Sequence, residues 1–331
     1  MKAWRVTELG EPREALRLVD VAGPEAGPGQ VVVDVLASAA NFADVLLCRG
    51  RYQVRPELPF TPGLEVCGRV VALGRGVTGL AVGDRVLGAA VRPYGGFGEG
   101  AVMDAAQAFA APSELDDAEA SALYVGYQTG WFGLFRRARL RAGETLLVHA
   151  AAGGVGSAAV QLGKAAGARV IGVVAGPAKA EVACRLGADV VVDRHEQDFV
   201  EIVQAETGGR GADVVYDPVG GDTYRRSTKC IAFEGRVVLV GFAGGEIQSA
   251  ALNHALVKNY SILGLHWGLY KGRDPAAIAQ CHRELARLAA DGVVRPLVGE
   301  RLALDEVAEG VQRLADGITV GRVTYVAGGR G

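Results

Sequence analysis

One segment constrains the fold of this chain more than any other: His149-Ala150-Ala151-Ala152-Gly153-Gly154-Val155-Gly156-Ser157. A short apolar run, Thr145 to His149, leads into it, and a helical pattern from about Val155 to Ala166 leads out. Strand, glycine-rich turn and helix in that order form the unit that binds dinucleotides. The fingerprint glycines at relative positions 1, 3 and 6 land on Ala151, Gly153 and Gly156, so the first is replaced by alanine. Gly153 lets backbone approach a pyrophosphate, and Gly156 lets the helix pack close to the sheet. Gly154 and Val155 sit where the helix start offers free N–H groups to the phosphates.

The surrounding pattern supports a doubly wound α/β unit. Apolar strands are expected at Val170 to Val174, Val190 to Val192, Val214 to Tyr216, Val237 to Val240 and Ile262 to Leu265. Helices are expected between them at Ala178 to Leu186, Phe199 to Glu206 and Tyr224 to Ile231. Such alternation is the signature of a parallel sheet. The first ~120 residues are instead β-rich and punctuated by turns such as Gly74-Arg75-Gly76 and Gly83-Asp84, within a length suited to roughly two domains. The C-terminal part mixes a helix at about Pro275 to Ala290, a strand near Leu297 to Leu302, a helix at Asp305 to Leu314 and a last strand at Arg322 to Val326.

Composition excludes several classes of function. Lys plus Arg number 35 against 37 Asp plus Glu, a net charge of −2, so no bulk field draws nucleic acid or an anionic membrane. The uncharged window Thr145 to Gly163 holds four glycines together with His149, Ser157 and Gln161, too polar for a spanning helix. The first residues, Met1-Lys2-Ala3-Trp4-Arg5, do not build the apolar core of a secretory signal. Five cysteines without a C-x-x-C pair read as reduced thiols, and a cytoplasmic location is expected.

Cofactor choice is read at the ends of the second and third strands. An NAD site usually ends its second strand with Asp or Glu for the ribose 2′-hydroxyl. Here the second strand runs out as Val174-Ala175-Gly176-Pro177, without an acid. Lys179 follows it and Arg194 follows the third strand, both suited to a 2′-phosphate, the alternative being two solvated surface cations. NADPH is therefore the expected cofactor, with Asp193 beside Arg194 as the one feature against it.

Several further motifs stand in order along the chain: Asn41-Phe42-Ala43-Asp44 with Gly50-Arg51-Tyr52, then Pro62-Gly63-Leu64-Glu65-Val66-Cys67-Gly68, then Val82-Gly83-Asp84-Arg85-Val86. The glycine turn and Asp213-Val214-Val215-Tyr216-Asp217-Pro218-Val219-Gly220 complete the set. Together they resemble the zinc-free quinone oxidoreductase family of medium-chain dehydrogenases/reductases. The resemblance implies a GroES-like catalytic domain over residues 1–123 and 266–331, and a Rossmann domain over 124–265. It also implies a homodimer.

The resemblance implies no metal. Zinc relatives use a Cys in the segment occupied by Asn41 to Asp44 and a His where Leu64 stands, and Tyr124 to Thr129 contains neither residue type. No run of four cysteines is present for a structural zinc. The expected reaction is hydride transfer from NADPH to a quinone or an α,β-unsaturated carbonyl compound, which needs no Lewis acid. Tyr52 matches the position of a functional tyrosine in related enoyl-thioester reductases and is the expected donor to developing oxygen charge. Asn41 and Asp44 are expected to shape the nicotinamide pocket; a cap or loop hydrogen bond is the alternative for Asp44. Thr129, Gly241, Phe242, Leu265 and Trp267 are expected to contact the cofactor, whereas His266 and His149 read as structural. Two other readings stay open, a reductase of enoyl-thioesters on CoA or a carrier protein, and a non-catalytic NADPH-binding protein.

Overall fold

The computed structural model describes residues 1–328. The chain divides into two compact units, Met1–Val125 joined by the segment from His282 onward, and Gly126–Cys281. In chain order the strands are β1 (Lys2–Val6), β2 (Leu16–Asp20), β3 (Gln30–Ala39), β4 (Glu65–Leu73), β5 (Arg85–Ala90), β6 (Gly100–Ala110), β7 (Thr145–His149), β8 (Arg169–Val174), β9 (Val190–Asp193), β10 (Ala212–Asp217), β11 (Ile231–Leu239), β12 (Ser261–Gly264), β13 (Val298–Leu302) and β14 (Arg322–Val326).

In the first unit, β13, β14, β3, β4, β5 and β6 are neighbours in that order, and β3 pairs back onto β6. The antiparallel strands β3 to β6 thus close on themselves, which leaves fewer open edges than a flat sheet. This is the GroES-like barrel. Its core holds Val31, Val33, Val66, Val86 and Met103 from the barrel with Leu302, Val307 and Tyr325 from the returning segment. The return is sealed by β14, whose Thr324 to Val326 pair antiparallel with Ala39 to Ala37 of β3.

An ion pair lies inside this unit. Arg322 of β14 bonds Glu65 at the start of β4, with the two side chains 5% and 0% exposed. The carboxylate also accepts from Asn41 Nδ2 at 2.9 Å and from the Val125 backbone N–H at 2.7 Å. A buried charge needs this many partners to be tolerated.

The second unit is a six-stranded parallel sheet in the order β12-β11-β10-β7-β8-β9. The chain starts at β7, moves outward through β8 and β9, then returns to β10 and moves out the other way. The order therefore reverses between β7 and β10, the switch point at which open α/β sheets bind ligands. All five residues of β7 are buried, as a strand covered on both faces requires.

The structure departs from the sequence reading in three places. Residues 266–281 belong with the second unit rather than the first. Trp267 Nε1 bonds Gln128 Oε1 at 3.2 Å and Arg136 pairs with Asp274 at 2.7 Å, which holds this segment there. The helix expected at Tyr224 to Ile231 stops early, as Asp222–Ser227, and β11 begins at Ile231. A kink explains the misreading: Glu234 takes φ +56° and the pairing register with β10 slips, which turns Phe233 out to solvent and breaks the strand pattern. The helix Asp117–Trp131 was not anticipated, although Asp116 and Glu119 exchange reciprocal backbone bonds of 2.9 and 3.1 Å as a capping box.

Removing one partner of the buried pair, by Glu65→Gln or Arg322→Met, should cost about 3–5 kcal/mol in urea unfolding, with the double replacement by apolar residues costing less than either. Single variants within about 0.5 kcal/mol of the parent would contradict this account.

Candidate active site

The glycine turn follows β7 directly. Ala150 adopts φ +51°, a left-handed conformation disfavoured for a residue with a side chain. The chain then doubles back, with Ala151 N donating to Val173 O of β8 at 3.0 Å and Gly153 N to Ala150 O at 2.8 Å. The helix Gly154–Ala165 starts so close to this turn that a Cβ on Gly156 would lie 2.1 Å from Ala150 O. Only glycine fits there. Ala151, at the first fingerprint position, is accommodated by the bare backbone of Gly172, where an added Cβ would meet the Ala151 methyl at 3.0 Å.

The helix has no side-chain N-cap at Gly153, and Ser157 N is the first amide with an intrahelical acceptor, Gly153 O at 2.8 Å. The N–H groups of Gly154, Val155 and Gly156 therefore have no acceptor within the helix. Gly153, Gly154 and Val155 are half-buried at the strand-end edge of the sheet. Three open donors, no side chain over them and the positive end of a 12-residue helix suit a pyrophosphate.

Lys179 follows β8 and Arg194 follows β9. Burial lowers the Lys179 pKa, and the nearby Arg194 guanidinium lowers it further. Asp193, beside Arg194, bonds to backbone amides. Its Oδ1 accepts from Gly176 N at 3.0 Å and His195 N at 3.1 Å, and these amides hold its carboxyl below the usual range. Its carboxylate closes the turn after β8, and the neighbouring Arg194 charge lowers its pKa further.

The other strand-end residues lie on the same edge of the second unit. Gly241 and Phe242 follow β11 and are half-buried. Their loop is hung on the 218–221 turn through Ala243 N to Pro218 O at 3.0 Å and Gly244 N to Val219 O at 2.9 Å. That turn is shaped in its own right by Asp217, whose Oδ1 accepts from Val219 N at 2.8 Å and Gly220 N at 2.9 Å. Sequence reasoning missed this role of Asp217, and burial raises its pKa. Leu265 follows β12 and is tied to Leu239 O at 3.0 Å. Thr129 and Trp267 are buried. His149 is structural: its Nε2 lies 2.8 Å from Ser227 Oγ, and burial lowers its pKa to about 3, so it stays neutral.

In the first unit Asn41 and Asp44 are committed to the fold. Asn41 Nδ2 donates to Ala39 O at 3.2 Å and Glu65 Oε1 at 2.9 Å, and its Oδ1 accepts from Arg322 at 3.1 Å. Asp44 takes the cap role: Oδ2 accepts from Asn41 N at 2.8 Å and Oδ1 from Gly63 N at 2.9 Å. Burial pushes its pKa up to about 6. Through Gly63 it anchors the Pro62-Gly63-Leu64 turn, at φ +96° for the glycine. Tyr52 is half-buried against the core, and burial together with the Asp44 charge raises its pKa while Arg92 opposes the rise. Its phenol stays protonated throughout the neutral range and is able to donate.

Among the described residues no group of three or more His, Cys, Asp and Glu is placed to hold a metal ion. No described helix is long and apolar enough to cross a membrane. Two family profiles match the chain: an alcohol dehydrogenase GroES-like domain over residues 27–113 and a zinc-binding dehydrogenase domain over 154–286. A quinone oxidoreductase-like protein 2 homolog of Nematostella vectensis is 38% identical over 97% of this chain and 88% of its own length. The Escherichia coli quinone oxidoreductase complexed with NADPH superposes with a TM-score of 0.91 at 29% identity, covering 98% of this chain and 100% of that one. A phthioceranic/hydroxyphthioceranic acid synthase of Mycobacterium tuberculosis is 34% identical over 90% of this chain, which spans 14% of that protein.

Replacing Lys179 and Arg194 together by alanine should weaken binding of a 2′-phosphorylated dinucleotide by about tenfold or more, since each charge-assisted contact contributes about 1.5–3 kcal/mol. Binding of the same dinucleotide without that phosphate should not change. Equal loss for both, read by fluorescence titration, would remove the phosphate assignment.

Proposed function

The chain belongs to the quinone oxidoreductase family of medium-chain dehydrogenases/reductases, and from that premise we propose that it is an NADPH-dependent reductase of quinones or α,β-unsaturated carbonyl compounds. The observation that carries this reading is the helix Gly154–Ala165 starting on glycines at the switch-point edge of the sheet, with the cations Lys179 and Arg194 following the neighbouring strands β8 and β9. Those amides hold the pyrophosphate and the two cations hold the 2′-phosphate. Bound NADPH supplies a hydride. Leu265, Phe242, Thr129 and Trp267 orient the nicotinamide end, with Gly241 leaving room for the ribose. Tyr52 donates a hydrogen bond to the substrate carbonyl oxygen, whose negative charge grows as the conjugated β-carbon accepts hydride and the double-bond electrons shift toward that oxygen. Its raised pKa keeps the proton in place for this task.

Asn41 and Asp44 contribute as positioning residues. They fix the Asn41 to Cys48 segment and the Gly63 turn from beneath. The five cysteines stand as free thiols, which suits a reducing, cytoplasmic setting. The second reading, reduction of an enoyl-thioester, is favoured by the likeness to the mycobacterial synthase.

We also infer a homodimer. The helix Leu252–Lys258 exposes Leu252, Leu256 and Val257 just ahead of β12, an edge strand with open hydrogen-bonding groups. An apolar row beside an open edge is an association surface. Light scattering should give twice 34.3 kDa, and Leu256→Glu should shift it toward the monomer. A monomeric parent protein would end this inference.

The reductase reading is tested by NADPH consumption with 1,4-naphthoquinone, an enal, crotonyl-CoA and a simple alcohol run in reverse. Quinone or enal turnover is expected, and Tyr52→Phe should lower enal turnover by about tenfold or more with little change in NADPH affinity. Crotonyl-CoA as the best substrate would replace the leading reading with the thioester one. Silence throughout would leave a nucleotide-binding protein.

A further inference from the structure

The side chain of Trp267 is held from two directions. Its Nε1 donates to Gln128 Oε1 at 3.2 Å, and Lys271 Nζ stands 5.8 Å over its ring. The indole is thus fixed at its edge and over its face. Trp267 opens the short 3₁₀ turn Trp267–Leu269, soon after β12 ends at Gly264 on the strand-end edge of the second unit. Gln128 lies beside Thr129 on the helix Asp117–Trp131 and is wholly buried. The bond between them connects the helix position next to Thr129 with the loop that carries Trp267.

The rest of this loop has its own anchors. Phe132 and Tyr270 pack with ring centroids 4.3 Å apart, and Arg136 lies 5.5 Å over the Tyr270 ring while it pairs with Asp274 at 2.7 Å. These contacts dock the loop onto the helix region without Gln128. The Gln128 bond acts on the indole itself.

Gln128 also carries a cost. With Oε1 turned to the indole N–H, its Nε2 is buried and meets no acceptor among the described residues. An orphaned buried donor opposes folding, and an apolar side chain of similar length would remove it. A residue that adds little to stability and fixes one aromatic ring is suited to setting geometry.

We propose that Gln128 is a positioning residue, which sets the Trp267 indole against the nicotinamide end of bound NADPH. The proposal rests on the placement of Trp267 at the nicotinamide end made above. Gln128, wholly buried, acts through Trp267 and not on the cofactor directly.

The test measures calorimetric dissociation constants of NADPH and of 2′-phospho-ADP-ribose, which keeps every phosphate and lacks the nicotinamide. Gln128→Met should weaken NADPH about fivefold, the scale of one hydrogen bond, and leave 2′-phospho-ADP-ribose within about twofold. Its melting temperature should stay within about 4 °C of the parent, because one orphaned donor, Gln128 Nε2, is exchanged for another, Trp267 Nε1. Gln128→Glu keeps an acceptor for the indole and should hold NADPH affinity within about twofold, although a buried acid lowers its melting temperature further. Trp267→Phe should weaken NADPH, and Gln128→Met added to it should cost no more than about twofold beyond that. Equal losses on both ligands in Gln128→Met, no loss on NADPH, or the full loss repeated on Trp267→Phe would each overturn the proposal. Should Gln128→Met not fold, Gln128→Glu beside Trp267→Phe decides: NADPH binding kept in the first and weakened in the second supports the proposal, and binding weakened in both overturns it. If Trp267→Phe alone leaves NADPH binding unchanged, the placement of Trp267 at the nicotinamide falls, and the proposal with it. A loss in Trp267→Phe without one in Gln128→Met leaves that placement standing and overturns only the role of Gln128.

Discussion

The second unit depends on one close approach, the start of the helix Gly154–Ala165 against the carbonyl of Ala150. A Cβ at Gly156 would lie 2.1 Å from that oxygen, far inside any tolerated contact. Because the contact is that tight, the helix begins at the very edge of the sheet and its first amides are left open at the switch point between β7 and β10. The left-handed Ala150 is the cost of this geometry, and bonds from Ala151 and Gly153 to the neighbouring backbone offset it. The proposed phosphate site is thus a by-product of how a helix is packed onto a parallel sheet.

The first unit is organised by a different interaction, the buried Glu65–Arg322 pair. It ties β4 to a strand that arrives more than 250 residues later in the chain, since the two residues are separated by 257 positions. Asn41 and the Val125 amide complete the carboxylate's partners. Asn41 in turn presents its backbone N–H to Asp44, which holds Gly63 and with it the Pro62 to Leu64 turn. The polar residues Arg322, Glu65, Asn41 and Asp44 of this unit form one connected set, from the ion pair to the Gly63 turn. The elevated pKa of Asp44, about 6, marks how strongly that set is desolvated. Asp44 binds its proton more readily folded than unfolded, so its own contribution to stability rises as pH falls from neutrality through 6.

What was legible in the sequence was local. The period of apolar residues placed β7, β8 and the helix Phe199–Glu206 to within a residue or so, because a parallel strand buried on both faces is a continuous apolar run. The glycine turn was legible because its backbone demands are met by few residue types. What escaped depended on partners distant in sequence. The bonds of the Asn41 amide to Glu65 and Arg322 are an example, since nothing near Asn41 in sequence announces Arg322. The kink at Glu234 hid the first half of β11, since a slipped register removes the alternation that marks a strand. Residues 266–281 were assigned to the wrong unit because the bond from Trp267 to Gln128 is a tertiary fact. That Asp193 bonds the Gly176 and His195 amides was likewise not legible, since Gly176 lies 17 positions away.

The central claim is that the sheet edge of the second unit is built for a dinucleotide with a 2′-phosphate. The most direct test is the ratio of the NADH to the NADPH dissociation constant of the unmodified protein, measured by quenching of its tryptophan fluorescence at one ionic strength. This account predicts NADPH tighter by about tenfold or more, the scale of one charge-assisted phosphate contact. Equal affinities, or tighter binding of NADH, would contradict it.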